Sequence, residues 1–228
     1  NGIQNQFNEV NNNLYFVMNS LGLFTPMNYI NSTSPVDYQE VQTVVFTKGN
    51  IGNLWSESSL FGNRYYDWNS TTKTLTFSSP MGIIFFNSNM YDTFASCYSL
   101  NQNIPISNSV TDMSATFYSC YSLNQNIPIS NSVTNMSSTF ASCYSLNQNI
   151  LIPNSVTDMS ATFYSCNNLN QNILIPNSVT NMSSTFAYCY NLNQNILIPN
   201  SVTDMSNTFT SCNNLNQNIL IPNSVTNM

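Results

Sequence analysis

Cysteine recurs at intervals of 23 residues through the second part of this 228-residue chain. The positions are Cys97, Cys120, Cys143, Cys166, Cys189 and Cys212. They form one column of a tandem repeat, which is clearest at residues 154–176 and recurs almost unchanged from residues 108, 131, 177 and 200. A degenerate copy spans residues 85–107. Self-similarity at a period of roughly 20–50 residues is typical of arrays whose units pack only against their neighbours, so the period predicts a solenoid.

Apolar residues indicate how one repeat unit is built. Spacings of 4, 3 and 3 predict a helical or 3₁₀ turn carrying Met113, Phe117, Cys120 and Leu123. Asp112 precedes this segment and is a candidate cap for it. Ile127 and Ile129 then alternate as in a strand. We therefore expect an α/β solenoid of leucine-rich-repeat type, with one short parallel strand and one helical or 3₁₀ turn in each 23-residue coil.

The chain divides at about residue 85. Residues 1–84 lack the repeat, and alternating segments at 41–47 and 73–77, with a buried-type segment at 83–86, predict strands. A short helix is expected at 14–23. We predict that 1–84 is a mostly β N-terminal cap or connector domain, and that 85–228 is a repeat array broken off within a seventh unit. One unit buries too little apolar surface to fold alone, so the array needs such a cap.

Composition excludes several function classes. Charged residues make up 5% of the chain, histidine is absent, and all Lys and Arg residues precede the array. Phosphate binding depends on Lys and Arg, so we expect no nucleic-acid partner. Without histidine and with few carboxylates, we expect no enzymatic activity, no metal and no cofactor. The sequence contains no stretch of about 18 apolar residues, so we expect no direct insertion into a membrane.

The repeat pattern Val-x-x-Met-x-x-x-Phe-x-x-Cys-x-x-Leu-x-x-x-Ile-x-Ile-Pro resembles the BspA-like leucine-rich repeats of bacterial surface proteins. The form Asn-Met-Ser-x-Thr-Phe-x-x-Cys at 181–189 is most similar to the mycoplasma-type branch, and such repeats also occur in phage and giant-virus proteins. The resemblance covers residues 85–228. It implies an extracellular location, on a bacterial cell surface or a virion, and adhesion to host proteins or cells. Three residues separate Leu from Ile here, where many members have two, which leaves open whether Gln125 turns inward.

The cysteine column has two interpretations. Adjacent coils about 4.8 Å apart would permit disulfides between neighbouring cysteines. However, the column lies on the same apolar stripe as Met113 and Phe117, where cysteine behaves as a small hydrophobic residue. We expect free, buried thiols in a structural ladder.

Two further columns are candidates for partner binding. One is an outward-facing asparagine column at Asn126, Asn149, Asn172, Asn195 and Asn218. The other lies between the two isoleucines of the later coils, at Leu151, Leu174, Leu197 and Leu220, where the first two coils have Pro105 and Pro128. An exposed leucine column would form an apolar patch, which usually marks a contact surface; the alternative is that these side chains turn inward. For the amides, the alternative is a ladder between coils.

We expect a non-enzymatic surface recognition module that acts in adhesion or host-receptor binding through the solenoid surface. Its partner would be a protein or glycan on a host or neighbouring cell surface. The alternative is a structural fibre or decoration subunit of a virion or cell surface, whose exposed columns contact other subunits through self-association or virion assembly.

Overall fold

The computed structural model describes residues 7–10, 14–19, 38–49, 51–56, 64–79, 83–87, 89–104, 106, 108 and 110–228. The strands are β1 (Phe7–Val10), β2 (Leu14–Asn19), β3 (Thr43–Lys48), β4 (Asn53–Ser56), β5 (Arg64–Asn69), β6 (Thr74–Ser79) and β7 (Ile83–Asn87), and a 3₁₀ helix spans Tyr38–Glu40. They form one sheet in the order β1-β2-β7 and another in the order β3-β6-β5-β4. None of the described helices is long and apolar enough to cross a membrane.

The strands predicted at 41–47, 73–77 and 83–86 are confirmed as β3, β6 and β7. The helix predicted at 14–23 is wrong over residues 14–19, which form β2; residues 20–23 lie outside the described residues. The sequence Leu-Tyr-Phe-Val-Met of this segment is rich in residues that favour strands, and both edges of β2 are paired. Its parallel partner is β7, which spans the predicted boundary between residues 84 and 85.

Each array coil contains a turn segment, residues 113–123 in the second copy, where a helical or 3₁₀ turn was expected. That prediction is wrong for residues 110–228, which contain turns and no helix. The N–H of Thr116 donates to the carbonyl of Met113 at 3.1 Å, and the N–H of Cys120 donates to that of Phe117 at 3.0 Å, so two β-turns follow each other. Ala115 and Ser119 have φ of 50° and 58°, a left-handed conformation that a right-handed helix excludes.

Hydrogen bonds between coils replace those of the expected helix. The N–H of Met113 donates to the carbonyl of Asn135 at 2.9 Å, and the N–H of Phe117 donates to that of Thr139 at 2.9 Å. The same pattern recurs from coil to coil, for example from Phe140 to Thr162 at 2.9 Å. Successive 23-residue units are therefore stacked in register.

The parallel strand expected at 127–129 is also wrong, because no strand forms there. The N–H of Ile127 bonds locally to the carbonyl of Gln125 at 3.1 Å, and Pro128 has no N–H to donate. Beyond β7, parallel pairing among the described residues is limited to a single residue of each coil, just before Met. These bridges link Asn89, Asp112, Asn135, Asp158, Asn181, Asp204 and Asn227 in turn.

One hydrophobic core runs from the second sheet through the array. It begins with Val44, Leu75 and Phe77 and continues through the repeated Met, Phe, Cys, Leu, Ile and Val columns to Met205. The phenylalanine rings are stacked: the distance between ring centroids is 5.6 Å for Phe94 and Phe117, and the distances along the rest of the column are similar. The continuous core ties each coil to its neighbours.

The side chain of Gln102 joins β3 to the first coil. The N–H of Val44 donates to Oε1 of Gln102 at 2.8 Å, and Nε2 of Gln102 donates to the carbonyl of Val44 at 2.8 Å. Since β3 is an edge strand, this amide satisfies backbone groups that would otherwise be open to pairing with another chain. The contact therefore holds the N-terminal sheet against the array.

Candidate recognition surface

The leucine column is exposed to solvent. We call Leu151, Leu174, Leu197 and Leu220 the leucine row; they are 66%, 63%, 65% and 71% exposed. Local alternation produces this arrangement, because Ile150 is buried, Leu151 is exposed and Ile152 is half-buried against the core. The row is a repeated apolar feature on successive coils, of the kind that marks a contact surface.

The asparagine column lies beside the leucine row in sequence and is also exposed: Asn126, Asn149, Asn172, Asn195 and Asn218. Within the described structure, their side chains make no hydrogen bond, so their amides are available to a partner. The amides just before them behave differently. Oδ1 of Asn147 accepts the backbone N–H of Asn170 at 3.0 Å and Nε2 of Gln171 at 3.0 Å.

This second set of contacts forms an amide ladder, and each coil from Asn124 to Asn216 repeats it. Gln125 likewise donates to Asn101 across the coil boundary at 3.1 Å, so its side chain bonds to the neighbouring coil. The ladder residues therefore hold coils together, whereas the Asn126 column does not. The structure thus separates two amide roles that have the same appearance in the sequence.

The isoleucine segment, residues 126–129 and their equivalents, carries unpaired backbone groups. Throughout 110–228, no backbone hydrogen bond joins this segment to a neighbouring coil, and the N–H groups of Leu151 and Ile152 have no partner. A groove of 490 Å³ lies between the last two such segments. Its lining includes Asn195, Leu197, Asn218 and Leu220. The surface therefore combines apolar side chains, free amides and free backbone donors and acceptors.

The cysteines form an interior row of free thiols, and only Cys212 is partly exposed. Each of the last five donates its S–H to a phenylalanine carbonyl of the preceding coil, as Cys143 does to Phe117 at 3.2 Å. Burial raises the pKa of the Cys166 thiol well above its ordinary value, and the neighbouring cysteines add to the shift. The five buried thiols are protonated and inaccessible, and are therefore unsuited to nucleophilic or metal-binding roles.

The aspartate and asparagine column before Met makes turns, as a cap would. Oδ1 of Asp112 accepts the N–H of Ser114 at 2.8 Å, and Oδ1 of Asn135 accepts the N–H of Ser137 at 2.9 Å. In the last copy, hydrogen bonds from Ser206 lower the pKa of Asp204. Within the described ranges, no three Cys, Asp or Glu side chains converge as a metal site.

A threonine column is the structural feature that the sequence analysis missed. Thr116, Thr139, Thr162, Thr185 and Thr208 are buried, and each hydroxyl lies within hydrogen-bond distance of two methionine carbonyls, one in its own coil and one in the preceding coil. The sequence does contain a signal for this column, because threonine precedes the phenylalanine of every coil. Threonine is polar, so a search for columns of apolar residues does not find it.

Comparison with known proteins gives one family. Its model, described as "Mycoplasma protein of unknown function, DUF285", matches residues 88–175 and 152–228. No curated protein and no solved structure matches the chain. Because the two matches together cover residues 88–228, more than half of the sequence, the chain belongs to this DUF285 family.

Proposed function

We propose that the stacked coils are a solenoid of the leucine-rich-repeat class, related to the BspA-like repeats, and that the chain is a non-enzymatic surface recognition module. It acts at a bacterial cell surface or on a virion, in adhesion or host-receptor binding. The partner is a protein or glycan on a host or neighbouring cell. The observation that supports this proposal is the solvent-open leucine row, flanked by asparagine side chains without internal partners.

The physical argument rests on what the surface leaves unsatisfied. Burial of apolar surface contributes about 25 cal/mol of stabilisation per Å². Each exposed leucine is therefore a favourable contact for a partner that covers it. The adjacent free amides and backbone groups would then supply hydrogen bonds that fix orientation and selectivity. Repetition at successive coils makes several weak contacts act together on one partner.

The test is a binding assay on glycan arrays and on animal cells, with a variant that carries Leu151→Ser, Leu174→Ser and Leu197→Ser. The control carries Tyr144→Ser and Tyr190→Ser. These substitutions remove large side chains from the turn segments, where Tyr144 is 39% exposed and Tyr190 is 41% exposed. We expect the leucine variant to lose binding and the tyrosine variant to retain it. Unchanged binding by the leucine variant would remove this surface from the proposal.

The second candidate is a fibre or decoration subunit that associates through the same surface. The unpaired N–H and C=O groups of the isoleucine segment favour it, because a second chain can pair with them. Sedimentation velocity of the chain alone separates the two functions. Concentration-dependent assembly that the leucine variant abolishes supports the subunit; a monomer that still binds its cell-surface partner supports recognition.

A further inference from the structure

The first coil departs from the repeat at two adjacent positions. Where the later copies have serine after Met, at Ser114, Ser137, Ser160, Ser183 and Ser206, the first copy has Tyr91. At the next position the later copies have Ala, Ser or Asn, whereas the first has Asp92. The backbone is unchanged, because Asp92 has φ of 59° and the equivalent Ala115 has 50°. The departure is therefore confined to the side chains.

These two side chains share a pocket with a tyrosine of the next coil. The pocket has a volume of 310 Å³, and Tyr91, Asp92 and Tyr118 line it together with serines of the second and third coils. Tyr91 is 56% exposed and Tyr118 is 44% exposed, so both rings are open to a ligand. The site thus has two aromatic walls, one carboxylate and hydroxyl groups.

The carboxylate of Asp92 lacks a compensating group. Among the described residues it forms no ion pair and accepts no hydrogen bond, and the array has no Lys or Arg in its sequence. Burial raises its pKa, which reflects a partly desolvated anion. An uncompensated anion of this kind favours a cation as the ligand.

We propose that this pocket binds an organic ammonium group, with the tyrosine rings of Tyr91 and Tyr118 against the cation and the carboxylate of Asp92 as its counter-ion. An ammonium near the face of an aromatic ring is attracted by the ring quadrupole, and quaternary ammonium groups are recognised in this way. One carboxylate is too few for a calcium site, which needs several converging oxygens. A neutral ligand would leave the Asp92 charge uncompensated. Both a choline-type headgroup and a lysine side chain present the required group.

The test is an NMR titration of the 228-residue chain with tetramethylammonium and with n-butylammonium, and neohexanol serves as the neutral control of similar shape. We expect saturable shifts of the Tyr91 and Tyr118 ring signals with the cations only. Asp92→Asn should weaken binding about tenfold, and Tyr91→Ser should weaken it severalfold. Both substitutions suit the local backbone, since Asn207 and Ser114 occupy the equivalent positions.

The matched control is Asp158→Asn, because asparagine already occupies the equivalent Asn135 and Asn181 positions. If Asp158→Asn weakens binding as much as Asp92→Asn, the attraction is the general negative charge of the array and the pocket is not a site. Equal binding of neohexanol, or no saturable shift of either tyrosine, also overturns the proposal. Preference for tetramethylammonium identifies a choline-type source, and preference for n-butylammonium identifies a lysine side chain.

Discussion

Buried polar atoms decide the details of each coil at the scale of single residues. The hydroxyl of Thr162 is fully buried and lies 2.9 Å from the carbonyl of Met136 and 2.8 Å from that of Met159. It therefore connects its own coil with the preceding one. Because a buried carbonyl loses stabilisation when a donor is removed, this column contributes to stacking as the apolar columns do.

Replacing this hydroxyl tests its contribution. Thr162→Val keeps the shape of the side chain but removes the donor, and we expect the free energy of unfolding to fall by about 1–2 kcal/mol. The control Thr157→Val removes an exposed hydroxyl of the same coil, which donates to the carbonyl of Thr134 at 3.3 Å where water can replace it, and should alter stability by less than about 0.5 kcal/mol. Urea unfolding measures both. Equal effects of the two substitutions would show that the buried hydroxyl has no special role.

The cysteine row predicts instability at alkaline pH. Burial raises the pKa of the thiols, that of Cys212 to about 11, so folded thiols stay protonated where unfolded ones ionise. Their stabilisation is complete below the ordinary pKa of 9.0 and is lost as pH rises above it. Each buried thiol should lower the free energy of unfolding by about 1.4 kcal/mol per pH unit in that range.

Urea unfolding of the reduced chain between pH 8 and pH 10.5 measures this slope. Cys120→Ala removes one fully buried thiol, so above the ordinary thiol pKa of 9.0 its slope should be shallower by about 1.4 kcal/mol per pH unit, whereas near pH 8 the two slopes should coincide. Since the slope is compared, a general destabilisation by the substitution does not affect the result. Parallel slopes for the two chains would refute the assigned origin of the alkaline instability.

At the scale of the element, spacing alone did not distinguish a helix from consecutive turns. Met113, Phe117 and Cys120 return to one side at intervals of three or four residues in either structure. The choice depends on whether backbone N–H groups bond within the coil or to the next one, a non-local property. The apolar columns were therefore predictable, whereas the secondary structure between them was not.

The amide columns show the same limit. Asn124 and Asn126 are neighbours in an Asn-Gln-Asn sequence, yet only Asn124 accepts bonds from the next coil. The structure confirms that the isoleucines Ile127 and Ile150 are buried, as their apolar columns predict. The sequence left open whether the leucine between the isoleucines turns inward, and the structure exposes it. Which asparagine turns back over the stack depends on backbone geometry that the sequence pattern does not contain.

A paired substitution in one coil tests this division of roles. Asn147→Ala removes the acceptor for the N–H of Asn170 and for Gln171, and we expect a loss of about 1 kcal/mol in the free energy of unfolding. Asn149→Ala removes an exposed amide without internal bonds and should leave stability nearly unchanged. Thermal and urea unfolding of both variants provide the comparison. Loss of stability in Asn149→Ala alone would reverse the assignment.

For the whole molecule, the repeat period predicted stacked units, because only stacking buries the columns of every copy. The core shared by Val44, Leu75 and the array was not predictable, since it depends on how the second sheet lies against the first coil. The paired bonds between Gln102 and Val44 illustrate this, because their partners are distant in sequence. The identity of a ligand was not predictable either, because the repeat pattern constrains only the surface to which a ligand would bind.

Amide hydrogen exchange resolved to single residues tests the stacked turns most directly. The N–H groups of Phe140 and Phe163 donate to the next coil at 2.9 Å and 3.0 Å, whereas those of Leu151 and Leu174 have no partner among residues 110–228. Stacked turns predict slow exchange at the two phenylalanines and fast exchange at the two leucines. Slow exchange at Leu151 and Leu174, with fast exchange at Phe140 and Phe163, would contradict the structure and restore the hydrogen-bonded isoleucine strand.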